Sequence, residues 1–140
     1  MSCILRVSGA ALDIDALLSE VPLKPDQFWR KGEPRSRIAK GPHVDSGASF
    51  LASNADLDAL EKQVAEVTAF LESKLGSVAR LASFPGVEHA TLDFAVALNE
   101  SSVAVCSYLP PTLIRLASKA NVGIEVSTYV CSDERAGVEG

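Results

Sequence analysis

The strongest constraint on the fold is the segment 89–98, in which strongly apolar residues alternate one by one with smaller or polar ones. One set consists of Ala90, Leu92, Phe94, Val96 and Leu98, and the other of His89, Thr91, Asp93, Ala95 and Ala97. Because successive side chains of a strand point to opposite faces, this alternation predicts a central β-strand with one face in the core. The alanines of the second set indicate that the other face is partly covered.

The clearest helical pattern precedes this strand. Apolar residues recur at spacings of three and four at Leu57, Leu60, Val64, Val67, Leu71 and Leu75, which is typical of a helix with one buried side. We expect the helix to begin near Asp56, with Asn54 or Asp56 as its N-cap, and to be capped or bent at Gly76.

Shorter patterns complete the predicted fold. They indicate strands at 2–8, 48–52, 103–107 and 122–130, and further helices at 13–21 and from Pro110 to about 120. The predicted fold class is α+β, a single twisted, mainly antiparallel sheet with helices packed on one face. The strand and helix that open the chain resemble those that close it, which permits a ferredoxin-like arrangement with pseudo-symmetry. We expect one domain over 1–131 and a frayed tail over 132–140.

Composition excludes several classes of protein. A chain of 140 residues, 47% hydrophobic and 22% charged, has the length of one domain and is not intrinsically disordered. Its net charge of −5 argues against a general affinity for nucleic acid or anionic membranes. The N-terminus has no signal-peptide pattern, and the longest uncharged stretch, 101–114, is too short to span a bilayer. We therefore predict a cytoplasmic protein without membrane association.

Three cysteines, Cys3, Cys106 and Cys131, occur without C-x-x-C spacing. Each lies in or beside an apolar run, so we expect reduced, buried thiols.

The least generic segment is 24–40, which contains the only tryptophan, Trp29, beside Phe28. Six of the 13 Lys and Arg residues lie in this segment against two acids, a local charge of +4. The rest of the chain, with 7 basic and 16 acidic residues, carries −9. A basic patch with an aromatic pair at its centre is therefore mounted on an acidic body.

Two interpretations of this patch remain open. In the first, which we favour, Phe28 and Trp29 anchor a proline-rich connection to the core. In the second, Trp29 is exposed and stacks on a ligand or docks into a partner, while neighbouring cations contact carboxylate or phosphate. The candidate binding residues are Trp29, Arg30, Lys31, Arg35 and Arg37. If 35–40 is extended, it forms a charged edge strand, which needs no ligand to explain it.

Evidence for an enzyme is weak. The chain has two histidines and lacks the G-x-S-x-G, G-x-G-x-x-G, phosphate-loop and H-E-x-x-H motifs. The minor candidates are the His43-Val44-Asp45 pair, His89 near Asp93, and Cys106, whose apolar neighbours do not favour a reactive thiolate. We predict no catalytic residue, no metal ligand and no cofactor.

The segments Cys3-Ile4-Leu5-Arg6-Val7-Ser8-Gly9, Leu12-Asp13-Ile14-Asp15 and Pro25-x-x-x-Trp29-Arg30-Lys31-Gly32-Glu33 resemble an uncharacterised, mainly bacterial family, domain of unknown function 4279. The Leu109-Pro110-Pro111 and Ile124-Glu125-Val126 segments are similar to the end of that family. The resemblance covers about 3–131 and implies a single domain. It supplies no catalytic residues, and an immunity or antitoxin-like role is only a loose association of such domains.

Three functional hypotheses follow. The leading one is a non-enzymatic module, such as an immunity-type protein, that binds a protein partner. The alternative is a small-anion or nucleotide-binding protein, or a weak hydrolase, that uses Arg30, Lys31, Arg35 and Arg37 for charge and His43 for chemistry. Single-stranded nucleic acid stacked on Trp29 is the least favoured. A homodimer through strand edges or the alanine-bearing sheet face is also open.

Overall fold

The computed structural model describes residues 2–35, 41–101 and 103–131. The elements, in chain order, are β1 (Cys3–Gly9), α1 (Ile14–Glu20), β2 (Gln27–Trp29), β3 (Ser46–Ser53), α2 (Leu60–Ser83), β4 (His89–Asn99), α3 (Pro111–Lys119) and β5 (Gly123–Cys131). Among these residues, no helix is both long and apolar enough to cross a membrane.

The five strands form one sheet in the order β2-β3-β1-β4-β5. The first three pairings are antiparallel, and the β4–β5 pairing is parallel. The expectation of an α+β fold with one mainly antiparallel sheet is confirmed. The predicted central strand, β4, lies next to β1, which occupies the middle of the sheet.

Two β-α-β units give the sheet a pseudo-symmetry, but its second unit is β3-α2-β4 and not the closing strand and helix that the sequence suggested. In the order β4-β1-β3-β2, the β1-α1-β2 and β3-α2-β4 crossovers each join parallel strands, which is the ferredoxin-like arrangement. The remaining α3 and β5 add a third crossover that places β5 at the sheet edge beside β4.

All three helices contribute to a single core on one side of the sheet. From the strands, Leu5, Phe50 and Phe94 are almost completely buried. They pack in one cluster with Leu17 of α1, with Val67, Leu71 and Leu81 of α2, and with Leu113 of α3. The alternation that predicted a half-buried sheet therefore identifies its helix-covered face correctly.

The long helix differs from the expectation at its start, whereas the bend expected near Gly76 is present. Its N-cap is Ala59, without a side-chain cap, rather than Asn54 or Asp56. Buried Gln63 instead fixes this end, since its Nε2 donates to the carbonyl oxygens of Asp56 and Ala95 at 3.1 and 2.9 Å. The bend lies at Lys74, two residues before Gly76, and the helix then continues to Ser83.

Three smaller expectations were wrong. No strand forms in the described part of 103–107, and β2 is an additional short strand in the basic segment. Cys106 is exposed and Cys131 half-buried, so only Cys3 is a buried thiol.

The predicted edge strand beyond Arg35 and the tail 132–140 lie outside the described residues.

Candidate functional site

The candidate site lies on the sheet face opposite the helices, which we call the open face. On β1 this face carries Ile4 and Arg6, which alternate with the buried Cys3, Leu5 and Val7. The antiparallel register places Ser49 of β3 opposite both Arg6 and Gln27 of β2. Residues that lie far apart in the sequence therefore share one surface.

A groove of about 820 Å³ lies on the open face at its β2 side, and we call it the Trp29 groove. It is lined by Ile4 and Arg6 of β1, Asp26 to Trp29 around β2, Arg35, the loop residues His43 to Asp45, and Ser49. This volume lies within the range of about 300–1,000 Å³ that is usual for ligand sites.

Trp29 is fixed by contacts within the protein. Its indole Nε1 donates to Oδ1 of Asp45 at 3.1 Å, and its ring stacks on His43 with the centroids 5.5 Å apart. The indole also packs against Gly47, which is directly opposite on β3. The Trp29 side chain is half-buried and lines the groove. These contacts hold it on the open face and not in the core cluster, and Phe28 is 48% exposed, so the two aromatic side chains do not anchor this segment to the core. The His43-Val44-Asp45 pair supports this aromatic side chain.

The loop that carries His43 is tied to the end of β2 by backbone pairing. The amide of Gly32 donates to the carbonyl of His43, and the amide of His43 donates to that of Glu33, both at 2.9 Å. The amide of Lys31 also donates to Oγ of Ser46 at 2.9 Å. These bonds hold the loop that carries His43 and Asp45 next to the end of the strand that carries Trp29.

Arg30 is directed away from the groove. Its guanidinium makes two hydrogen bonds to the carboxylate of Asp15 on α1, at 2.7 and 3.1 Å, and lies 3.7 Å from Glu33. It also lies 5.4 Å from the centre of the Phe28 ring. The Arg30 hydrogen bond lowers the pKa of Asp15, and the same bond raises the pKa of Arg30. The positive charge of Arg30 is therefore neutralised locally, and the Arg30–Asp15 ion pair connects α1 to the end of β2.

The remaining candidate residues are divided. Arg35 lines the Trp29 groove, whereas exposed Lys31 is not among the lining residues. Arg37 lies outside the described residues. The structure thus brings together Trp29 and Arg35 and adds Arg6, which was not among the sequence candidates.

A second, smaller groove of about 260 Å³ continues across the open face, and we call it the Tyr129 groove. It shares Ile4 and Arg6 with the Trp29 groove and reaches Asp93, Ala95 and Tyr129. A polar network forms its floor, because Arg6 lies 3.4 Å from Oδ2 of Asp93 while Ser127 Oγ donates to Oδ1 at 2.7 Å.

Within the described ranges, no group of three or more His, Cys, Asp or Glu residues could hold a metal ion. Cys3 lies on the buried side of β1, and burial, with a smaller effect of Asp93, raises the pKa of its thiol to about 12. It therefore remains a protonated thiol at neutral pH and is a poor nucleophile.

A family model described as a domain of unknown function (DUF4279) matches residues 1–131. The chain belongs to this family. The resemblance seen in the sequence is confirmed, and the residues matched by the DUF4279 model include all the helices and strands described above. No curated protein and no solved structure matches the chain.

The main residues that the sequence analysis missed are Arg6, Ser127 and Tyr129, and it named Asp93 only as a neighbour of His89. Alternation had already placed Asp93 on the less buried side of its strand, and it puts Arg6 in the polar set of β1. Arg6 and Asp93 come into contact because β1 is next to β4. Ser127 reaches Asp93 because β5 pairs in parallel with β4. Periodicity within one strand carries no information about strand order.

Proposed function

We propose that this DUF4279 domain is a non-enzymatic binding module that holds an extended segment of a partner protein across its open face. The observation that carries this proposal is the pair of connected grooves that cross the face from Trp29 to Tyr129. Aromatic side chains near both ends and Arg6 between them provide apolar contact and hydrogen-bond donors, which are the usual components of a protein interface.

The dimensions of the face fit a short peptide. Four strand spacings of about 4.8 Å separate β2 from β5, a width of about 19 Å. An extended chain advances about 3.3 Å per residue, so about six residues span this width. A segment of that length reaches both aromatic side chains.

The balance of charge favours a peptide over a polyanion. The Trp29 groove contains two cations, Arg6 and Arg35, and two carboxylates, Asp26 and Asp45. In the Tyr129 groove the one cation, Arg6, pairs with Asp93. A ligand with several phosphates would meet these carboxylates, whereas a peptide with mixed polar and apolar groups would not be repelled.

The finer hypotheses remain proposals. An immunity-type role, in which the partner is a toxin, is one form of this function, and a cytoplasmic, bacterial setting is the corresponding expectation. The small-anion alternative rests on a different observation, that Arg6 and Arg35 line the same groove.

Selection of peptides from a random displayed library against the full chain tests the proposal. Enriched peptides are then titrated against three proteins, the wild type, Ser49→Arg in the groove and Ser73→Arg on the exposed side of α2. Because an arginine at 49 fills space between Arg6 and Gln27, we expect binding to weaken about tenfold or more in Ser49→Arg. The matched Ser73→Arg change should leave binding unchanged.

Two results contradict the proposal. One is a library that yields no peptide enriched on the wild type. The other is a set of peptides that bind equally well to Ser49→Arg, which would place their site elsewhere on the protein.

A further inference from the structure

The two edges of the sheet are protected very differently. The β2 edge is only three residues long and is flanked by Asp26 and by the ion-paired Arg30. β5 is nine residues long, contains no proline and carries one charge, Glu125. Among the described residues, β5 pairs only with β4. Natural proteins usually shorten, charge or cover an edge strand, so a long, nearly uncharged edge indicates that it has a partner.

Exposed apolar side chains accompany this edge. On β5 itself, Val126, Tyr129 and Val130 are exposed, Tyr129 by 53% and Val130 by 67%. Ile114 of α3, the helix that leads into β5, is also about half exposed. An apolar surface thus accompanies unpaired backbone groups along β5, which are the two components of an edge-to-edge interface.

We propose that the occupant of this edge is a second copy of the chain, whose β5 pairs antiparallel with the first about a two-fold axis at Ser127. An interface of this kind uses the same surface from both copies, so it must be self-complementary. Centring the axis on Ser127 aligns all nine residues of β5, because Ser127 is the midpoint of Gly123–Cys131.

The resulting register places compatible side chains opposite one another. Ile124 faces Val130 of the second copy, Val126 faces Thr128, and Glu125 faces Tyr129. Pairs of β-branched side chains stabilise neighbouring strands, and like charges placed directly opposite destabilise them. Glu125, the single charged residue of the strand, therefore does not lie opposite Glu125 of the second copy. It lies opposite Tyr129, whose phenol hydroxyl can donate a hydrogen bond to a carboxylate.

A groove next to the start of β5 supports the choice of occupant. It has a volume of about 470 Å³ and is lined by apolar side chains that include Ile114, Val122 and Ile124. In the proposed register, the exposed Val130 of the second copy lies opposite Ile124, at this groove. The two-fold axis repeats this contact at the other end of the strand, so Val130 of each copy is covered by the other copy.

Substitutions of Tyr129 test both the dimer and its register. Sedimentation velocity on the full chain, at about 1 to 100 μM, measures the dimer dissociation constant. Tyr129→Glu places a carboxylate opposite Glu125 of the other copy, at two symmetric positions, and should weaken the dimer about tenfold. Tyr129→Lys places an ammonium at the same position and should preserve or strengthen it.

Two further proteins complete the experiment. The double variant Glu125→Lys with Tyr129→Glu restores opposite charges and should dimerise like the wild type. Ser73→Glu, on the exposed side of α2, adds the same charge away from the edge and should have no effect.

The proposal is overturned if the wild type is monomeric throughout this concentration range, as it would be if another part of the chain covered β5. It is also overturned if the wild type dimerises but Tyr129→Glu and Tyr129→Lys behave alike, because the contact would then lie elsewhere or have a different register. Neither result bears on peptide binding at the Trp29 groove, which Ser49→Arg tests.

Discussion

Gly47 of β3 lies against the indole of Trp29. A Cβ added at Gly47 would stand 2.5 Å from Cζ2 of the indole and 2.6 Å from the carbonyl oxygen of Val7. Side-chain atoms do not approach backbone atoms that closely, so any larger residue must displace the tryptophan, the strand or both. The absence of a side chain at position 47 therefore allows the indole to rest on the sheet and reach Asp45.

We expect Gly47→Ala to destabilise the protein by about 1–3 kcal/mol, the usual cost of overpacking a well-filled site. Urea unfolding measures this change, and the emission of the single tryptophan reports the displaced ring. Gly76→Ala is the matched control, since nothing lies within 4 Å of its added Cβ and alanine is favoured in helices by about 0.5–1 kcal/mol. Equal effects of the two substitutions would show that the indole does not depend on Gly47.

At the scale of the elements, the bidentate Arg30–Asp15 pair connects α1 to β2 across 15 residues of sequence. Its hydrogen bond lowers the pKa of Asp15 in the folded protein. A carboxyl group whose folded pKa is lowered contributes stability above its unfolded pKa of about 3.9, and this contribution is lost as the pH falls through the folded pKa.

Asp15→Asn should therefore lower the urea midpoint at pH 7, and the difference from the wild type should shrink below about pH 4. Because both side chains are exposed to solvent, we expect a small effect that decreases with added salt. Asp58→Asn, at an exposed residue of the loop before α2, is the control for the loss of a carboxylate and should leave the urea midpoint at pH 7 unchanged. A difference that persists unchanged in acid would mean that the pair is not its source.

The same elements show which parts of the fold the sequence could predict. Period-two and helical patterns found β1, β4, β5 and α2 because each buries a face along its own length. β2 has only three residues and its pairing with β3 is non-local, so no periodicity could reveal it. Counting charges also overestimated the basic patch, since the partner of Arg30 comes from α1.

For the molecule as a whole, the proposed dimer and the proposed binding face share Tyr129 and are otherwise separate. A two-fold axis perpendicular to the sheet keeps the helices of both copies on one side and both open faces on the other. Pairing at β5 would then join two five-stranded sheets into one of ten strands, with a Trp29 groove near each outer edge. Such a dimer could bind two segments of the same partner and gain avidity without a new contact.

The charge of the whole chain provides a separate prediction. With a net charge of −5, and with Arg6 and Arg35 accompanied by two carboxylates in the groove, we expect phosphate, nucleotides and single-stranded DNA to leave the thermal midpoint unchanged. Thermal unfolding measures this directly, because a ligand that binds the folded state raises the midpoint by mass action. Sodium chloride at equal ionic strength is the reference. A rise with phosphate that disappears in Arg35→Ala, yet persists in Arg80→Ala on the exposed side of α2, would instead establish the anion-binding alternative.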